Sequence, residues 1–288
     1  TSQSRPLTLK NVSDLPLQFQ LRTQPPFSVD TWEFQLEPAE SATLNVAFDP
    51  GYKNDRMTHM AERKLVAVYR DHPRKDAFDL VGDINFPNLE FEYSRVDFGC
   101  ILNDTTKSMT VKVTNTSRID CAFQWSFVED EEAERASATS RRPYIPVNQV
   151  FDILPIRSYL RPGDTEVVEF IFYGHANRKF KAAAVCEVEG GPEYDMTLVG
   201  EASTLGYRLD RQFLDFGKLV FDKTEEAEFV LHNTGKVAFN FSVRTDLVSR
   251  PGVISVSPMS GRVFAGAHSH QRIVVKFTPG VPDQIMEK

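Results

Sequence analysis

Shifted along itself by 118 positions, the chain places Asp97-Phe98-Gly99 on Asp215-Phe216-Gly217. The same shift carries Leu89 onto Tyr207, Phe91 onto Leu209, Asn115 onto Asn233, Ile119 onto Val237, Cys121 onto Phe239, Phe123 onto Phe241 and Trp125 onto Val243. A gapless duplication of this length limits the fold more than any short motif, because each copy has to be a unit that packs beside its like. A third copy lies upstream at a shift of 104, where Asn11, Leu15, Leu17, Phe19 and Leu21 match Asn115, Ile119, Cys121, Phe123 and Trp125. Later in that copy "LEPAESATLNVAFDP" (36–50) parallels "LRPGDTEVVEFIFYG" (160–174), and "FDLVGDI" (78–84) parallels "MTLVGEA" (196–202).

Within each copy the apolar residues alternate with period two. "TVKVTN" (110–115), "VVEFIFY" (167–173), "AEFVLHN" (227–233) and "RIVVKFTP" (272–279) are β-branched and aromatic strand patterns. Turn clusters at 161–164, 189–193, 232–236 and 257–261 separate them, and no stretch carries a helical period. The expectation is an all-β chain of tandem immunoglobulin-like sandwiches, each of about seven strands. The units expected are 1–85, without its first strand; 86–203, with a polar insertion at 129–148; and 204–288, without its last strands. In the second and third, glycine after the core phenylalanine permits a bulged backbone, and in all three Asn-x-Ser or Asn-x-Gly makes a turn in which asparagine takes a left-handed conformation and bonds its own backbone.

The repeat bears on the motif it contains. Asp-Phe-Gly holds magnesium in protein kinases, but here it recurs at equivalent strand positions, with no glycine-rich phosphate loop and no His-Arg-Asp loop beside it. It is a structural period. His268-x-His270 would place two rings on one side of a strand, without a third ligand nearby. No catalytic, cofactor-binding or metal-binding residue is assigned.

A net charge of −7 repels a phosphate backbone, so no nucleic-acid partner is expected; the basic stretches 70–75 and 178–181 read as solvated loop charge. No run of 18 apolar residues suggests a membrane span. The chain opens on Thr1 with no signal-like stretch and reads as a segment of a longer protein. Cys100, Cys121 and Cys186 sit among apolar residues, as reduced buried thiols do; the sequons at Asn11, Asn103 and Asn115 keep a secreted adhesion array open as the competitor. The stretch 129–148 is too polar to bury, and Trp125, alternating with Phe123 and Cys121, belongs to the core. The connections 83–88 and 201–206 are so short that neighbouring sandwiches have to touch, with Pro87 stiffening the first, which suggests a semi-rigid rod.

Asp-Phe-Gly on an opening strand, Asn-Thr-Ser or Asn-Thr-Gly after the second, Leu-x-Pro-Gly, and a closing Leu-Val-Gly-Glu resemble the ASH domains, sandwiches similar to major sperm protein. "VDFGCILNDTT" and "AVCEVEGGPEYDMTLVGEAS" are similar to the very large ASH-repeat proteins of the central pair apparatus of motile cilia. That resemblance implies a non-catalytic axonemal scaffold without cofactors, whose partners are central pair proteins and tubulin, met through loops and edge strands. A peptide-binding adaptor of the major-sperm-protein type is the nearer alternative.

Overall fold

The computed structural model describes residues 3–128, 144–221, 223–247 and 252–280. The first unit holds β1 (Gln3–Lys10), β2 (Leu17–Arg22), β3 (Phe27–Val29), β4 (Glu33–Leu36), β5 (Ser41–Phe48), β6 (His59–Tyr69) and β7 (Lys75–Ile84). They form one sheet in the order β1-β5-β3 and another in the order β4-β2-β6-β7. Alternate residues of β2, Phe19 and Leu21, point inward, and they share a core with Leu36, Leu44 and Leu65.

The second unit is fuller: β8 (Leu89–Phe91), β9 (Arg95–Leu102), β10 (Thr106–Asn115), β11 (Cys121–Phe127), β12 (Phe151–Leu154), β13 (Arg157–Leu160), β14 (Thr165–Tyr173), β15 (Lys179–Val188) and β16 (Glu193–Ser203). The sheets run β12-β14-β10-β8 and β13-β11-β15-β16-β9. Between them lie Phe98, Phe151, Phe170 and Phe172, all essentially without exposed surface, and Trp125, which meets Phe91 and Phe170 edge-on. Full burial of each such ring is worth about 2–3 kcal/mol of transfer free energy. Trp125 is therefore core, as its alternation with Phe123 implies.

β9 pairs with β16 in parallel, and the register slips between Val199 and Glu201. That bulge is where Gly99 takes a φ of +68°, a conformation an L side chain resists. Opposite it Gly200 has no room for a Cβ, which would lie 2.6 Å from the Phe172 ring.

The third unit has β17 (Tyr207–Leu209), β18 (Glu225–Asn233), β19 (Phe239–Ser242), β20 (Ile254–Ser257), β21 (Ser260–Val263) and β22 (His270–Phe277), in sheets β17-β18-β22-β20 and β19-β21. Its buried core is thin: Leu231, Val263 and Ile273. Here the structure departs from expectation, because 211–220, the counterpart of β9, forms no strand. β9 is held by β16, and no counterpart of β16 lies beside 211–220 among the described residues. Phe216 instead rests on Phe277, with ring centroids 5.3 Å apart.

Two further expectations change. Residues 129–143 of the polar stretch lie outside the described residues, but its end is not wholly solvated: Ile145 and Val147 pack against the second core, and a short helix α1 (Val147–Val150) buries Val150. The repeat asparagines are not left-handed. Asn11, Asn115 and Asn233 are buried, and each side chain joins the two sheets. Asn115 Nδ2 donates to Ile119 O at 2.8 Å and to Leu160 O at 3.0 Å, while its Oδ1 accepts from the Ser117 N–H at 2.9 Å. Asn11 repeats this with Leu15, Leu36 and Ser13, and Asn233 with Val237, Val263 and Gly235. Burial makes these amides obligatory bonders, which is why asparagine recurs at this position.

Candidate functional site: the joints between sandwiches

Where one unit meets the next, a charged pair spans each boundary. At the first joint Arg118 Nη1 donates to Asp83 Oδ2 at 2.7 Å. At the second Lys236 Nζ donates to Glu201 Oε1 at 2.5 Å. Both partners are displaced by 118 positions, so the same acid–base clasp, with each residue exchanged for one of like charge, closes both joints. The backbone repeats too: Thr116 N donates to Asn88 O at 3.2 Å, and Thr234 N to Gly206 O at 3.0 Å, again 118 positions on.

The first joint carries a denser network than the second. Asn88 accepts the Thr58 N–H at 2.8 Å and donates to Arg56 O at 3.1 Å, reaching back into the first unit. Thr58 Oγ1 donates to Phe86 O and accepts from Phe86 N, both at 2.9 Å. Arg56 Nη1 reaches forward to Gly191 O at 3.1 Å. Gly191 is required here, since a Cβ would sit 2.3 Å from Pro87 O. At the second joint a Cβ on Gly206 would lie 2.8 Å from Gly235 N, so two glycines let the backbones meet there.

Electrostatics follow the geometry. The Lys236 ammonium, then Lys179 at 3.7 Å, hold the Glu201 carboxyl below its usual range, and Glu201 in turn raises Lys236. Arg118, Asp83 and Lys236 are open to solvent and Glu201 partly so, and solvent screening keeps what such pairs add to stability small. Their effect is on orientation more than on unit stability.

The other residues singled out by sequence fall away from chemistry. Asp97 and Asp215 are exposed, and each caps its own glycine, the Gly99 N–H at 3.0 Å and the Gly217 N–H at 2.8 Å. The Gly99 bond, helped by Arg95, lowers the Asp97 pKa. Burial raises the thiols of Cys121 and Cys186, the latter to about 12, and all three cysteines are free. Cys100 is only half-buried, less than expected. The His268 side chain lies outside the described residues; His270 faces His232 across the ladder, ring centroids 6.1 Å apart. Among the described residues no three His, Cys, Asp or Glu side chains cluster as metal ligands, and no helix is long and apolar enough to cross a membrane. A groove of about 570 Å³ beside the first joint is lined by Arg56 and Arg157 but also by Glu187, Glu189 and Glu193, so it is mixed in charge rather than basic.

These features define a class: tandem immunoglobulin-like sandwiches joined by a repeated clasp. Residues 83–200 match the family model described as "Cilia- and flagella-associated protein 65-like, Ig-like domain". The match begins on one clasp acid, Asp83, and stops one residue before the next, Glu201. The chain is similar to the hydrocephalus-inducing protein homolog of Homo sapiens, 31% identical over 97% of this chain and 8% of that protein. It is similar also to the hydrocephalus-inducing protein of Mus musculus, 29% identical over 98% of this chain and 8% of that one. The chain thus spans about 8% of the length of the curated relatives it matches. Among solved structures, the ASH/PapD-like domain 7 of human CEP192 is 15% identical, covering 40% of this chain and 85% of its own, at a TM-score of 0.33. At that score the likeness carries no weight, and the fold rests on the strand order above. The family name and the curated relatives point to a protein of cilia or flagella.

Proposed function

We propose that this chain is a non-catalytic segment of an axonemal scaffold, a semi-rigid run of sandwiches that contacts central pair proteins and the central microtubules. The observation that carries this reading is the joint: the clasp, the carbonyl bond and the close backbone contact recur at both boundaries, so adjacent units are set at a fixed attitude rather than strung on free linkers. A repeated joint supplies length and stiffness, and each unit adds loops and edges for partners. The similarity to ciliary repeat proteins supports placing it in the axoneme.

Two competitors lose ground on specific residues. An extracellular array would carry glycans; the Asn11 and Asn115 amides are buried and engaged, which leaves the half-buried Asn103 as the sequon at which that reading is tested. An acidic-peptide adaptor needs a basic groove, and the one beside the first joint is balanced by three glutamates. Tagging the parent protein in ciliated cells and imaging axonemes in cross-section tests the reading. Signal confined to the central pair upholds it; signal at the cell surface or the centrosome discards it.

A further inference from the structure

We propose that β13 pairs with β13 of a second copy of this chain, antiparallel about Ser158. In the middle unit β13 has β11 on one side and no strand on the other among the described residues. The bend that leads into it carries a feature repeated in every unit. Ile156 O accepts the Trp125 N–H at 2.8 Å, as Trp32 O accepts from Leu21 at 2.8 Å before β4 and Met259 O from Val243 at 2.7 Å before β21. The carbonyl is held inside each unit while the side chain stays out: Trp32 is 69% exposed, Ile156 55% and Met259 44%. Single exposed apolar side chains are commonplace, but one at the same bend of three units, at the head of an edge strand, is a pattern that a contact outside the unit accounts for.

The strand's own chemistry selects the occupant. Because Ile156 turns its carbonyl to β11, the alternation of an antiparallel ladder points the N–H and C=O of Arg157 and Tyr159 away from the sheet, a template for strand addition. A second β13 can meet them in three registers. With Arg157 opposite Arg157, like charges face each other and Tyr159 meets Pro155, which has no N–H to give. With Tyr159 opposite Tyr159, Arg157 faces Arg161, again a like charge. With Arg157 opposite Tyr159, no like charges are directly opposed and both residues of each strand exchange backbone bonds. The guanidinium then lies against a ring whose hydroxyl donates to the Asp120 carboxylate.

This register is self-complementary, as a twofold contact requires, and it sets the exposed Ile156 opposite Leu160 at both ends of the ladder. The neighbouring edges agree in charge. For two copies lying antiparallel, β4 answers β21, and the same register sets Glu33 opposite Arg262.

The test is sedimentation velocity of the 288-residue chain over about a hundredfold range of concentration. The mass is expected to rise from one chain to two and to stop there, since a twofold contact closes on itself. Tyr159→Lys, a change at an exposed side chain, opposes an ammonium to Arg157 of the other copy at both ends of the ladder and weakens the dimer by about tenfold or more. Arg157→Glu weakens it too. Mixing the two variants restores a dimer tighter than either forms alone, because the new carboxylate faces the new ammonium, and circular dichroism shows both variants folded. One mass at every concentration overturns the proposal, as does growth beyond two chains. So does dimerisation that ignores Tyr159→Lys, and so does a mixture no tighter than the single variants. The proposal stands apart from the axonemal reading, since none of these results fixes where the parent protein resides.

Discussion

Arg118 donates to Asp83 at 2.7 Å across the first joint, and 118 positions on Lys236 makes the same bond to Glu201. Removing either member of the first pair should leave each sandwich nearly as stable as before, within about 1 kcal/mol. The spread of distances between spin labels on the first and second units should widen. Asp83→Ala and Arg118→Ala should also be non-additive in a double-mutant cycle on that spread; additivity would mean the pair does not couple the units.

The second clasp has a defined pH window. Glu201 is held below its ordinary value, so its contribution is present above about 4.3, the usual glutamate pKa, and is lost as pH falls through the lower folded value. Lys236 is raised, so its contribution is present below about 10.4 and is lost only as pH rises through the higher folded value. The joint should therefore hold its geometry through neutral pH and loosen in acid. Scattering profiles at pH 7 and below 4 check this, with Glu201→Gln expected to behave at pH 7 as the parent does in acid.

Asn115→Ala should destabilise the middle unit by about 3 kcal/mol, because Ile119 O and Leu160 O are left without their buried donor. Chemical denaturation measures it directly. A loss under 1 kcal/mol would show that water replaces the amide.

Trp125→Ala should cost about 3–5 kcal/mol, the usual range for emptying a buried aromatic site. Its ring is 3% exposed and lies edge-on to Phe91 and Phe170, so the hole has no side from which solvent readily enters. A melting temperature within a degree of the parent's would contradict this.

Two glycines across one bulge should respond differently to alanine. Gly99→Ala meets nothing within 4 Å and should lose only about 1 kcal/mol, from its positive φ. Gly200→Ala drives a methyl to 2.6 Å from the fully buried Phe172 ring and should cost about 1–3 kcal/mol. Paired denaturation curves decide the order.

Much of this was legible before any coordinates. Period-two alternation and the shift of 118 were enough to expect tandem sandwiches, to strip Asp97 of a catalytic role and to place Trp125 inside. The Asp83–Arg118 and Glu201–Lys236 clasps sit on the same shift and went unseen, since two opposite charges 35 residues apart say nothing until the topology brings them together. Asparagine in Asn-x-Ser suggested a left-handed turn because that is its common use. Here its amide spans two sheets, a role that depends on Leu160, 45 residues away. The parallel pairing of β9 with β16 was equally hidden, because alternation marks a strand but not its neighbour, and for that reason 211–220 looked like a strand although its neighbour is absent from the described residues.

That parallel pairing has a mechanical consequence. The chain enters the middle sandwich close to β9 and leaves from β16, and these strands lie side by side pointing the same way. Tension applied at the two ends of the unit meets the short pairing of β8 with β10 first and, once that gives, pulls β9 and β16 in opposite directions along their shared axis. The ladder is then loaded in shear, so its bonds have to fail together instead of opening one after another like a zip.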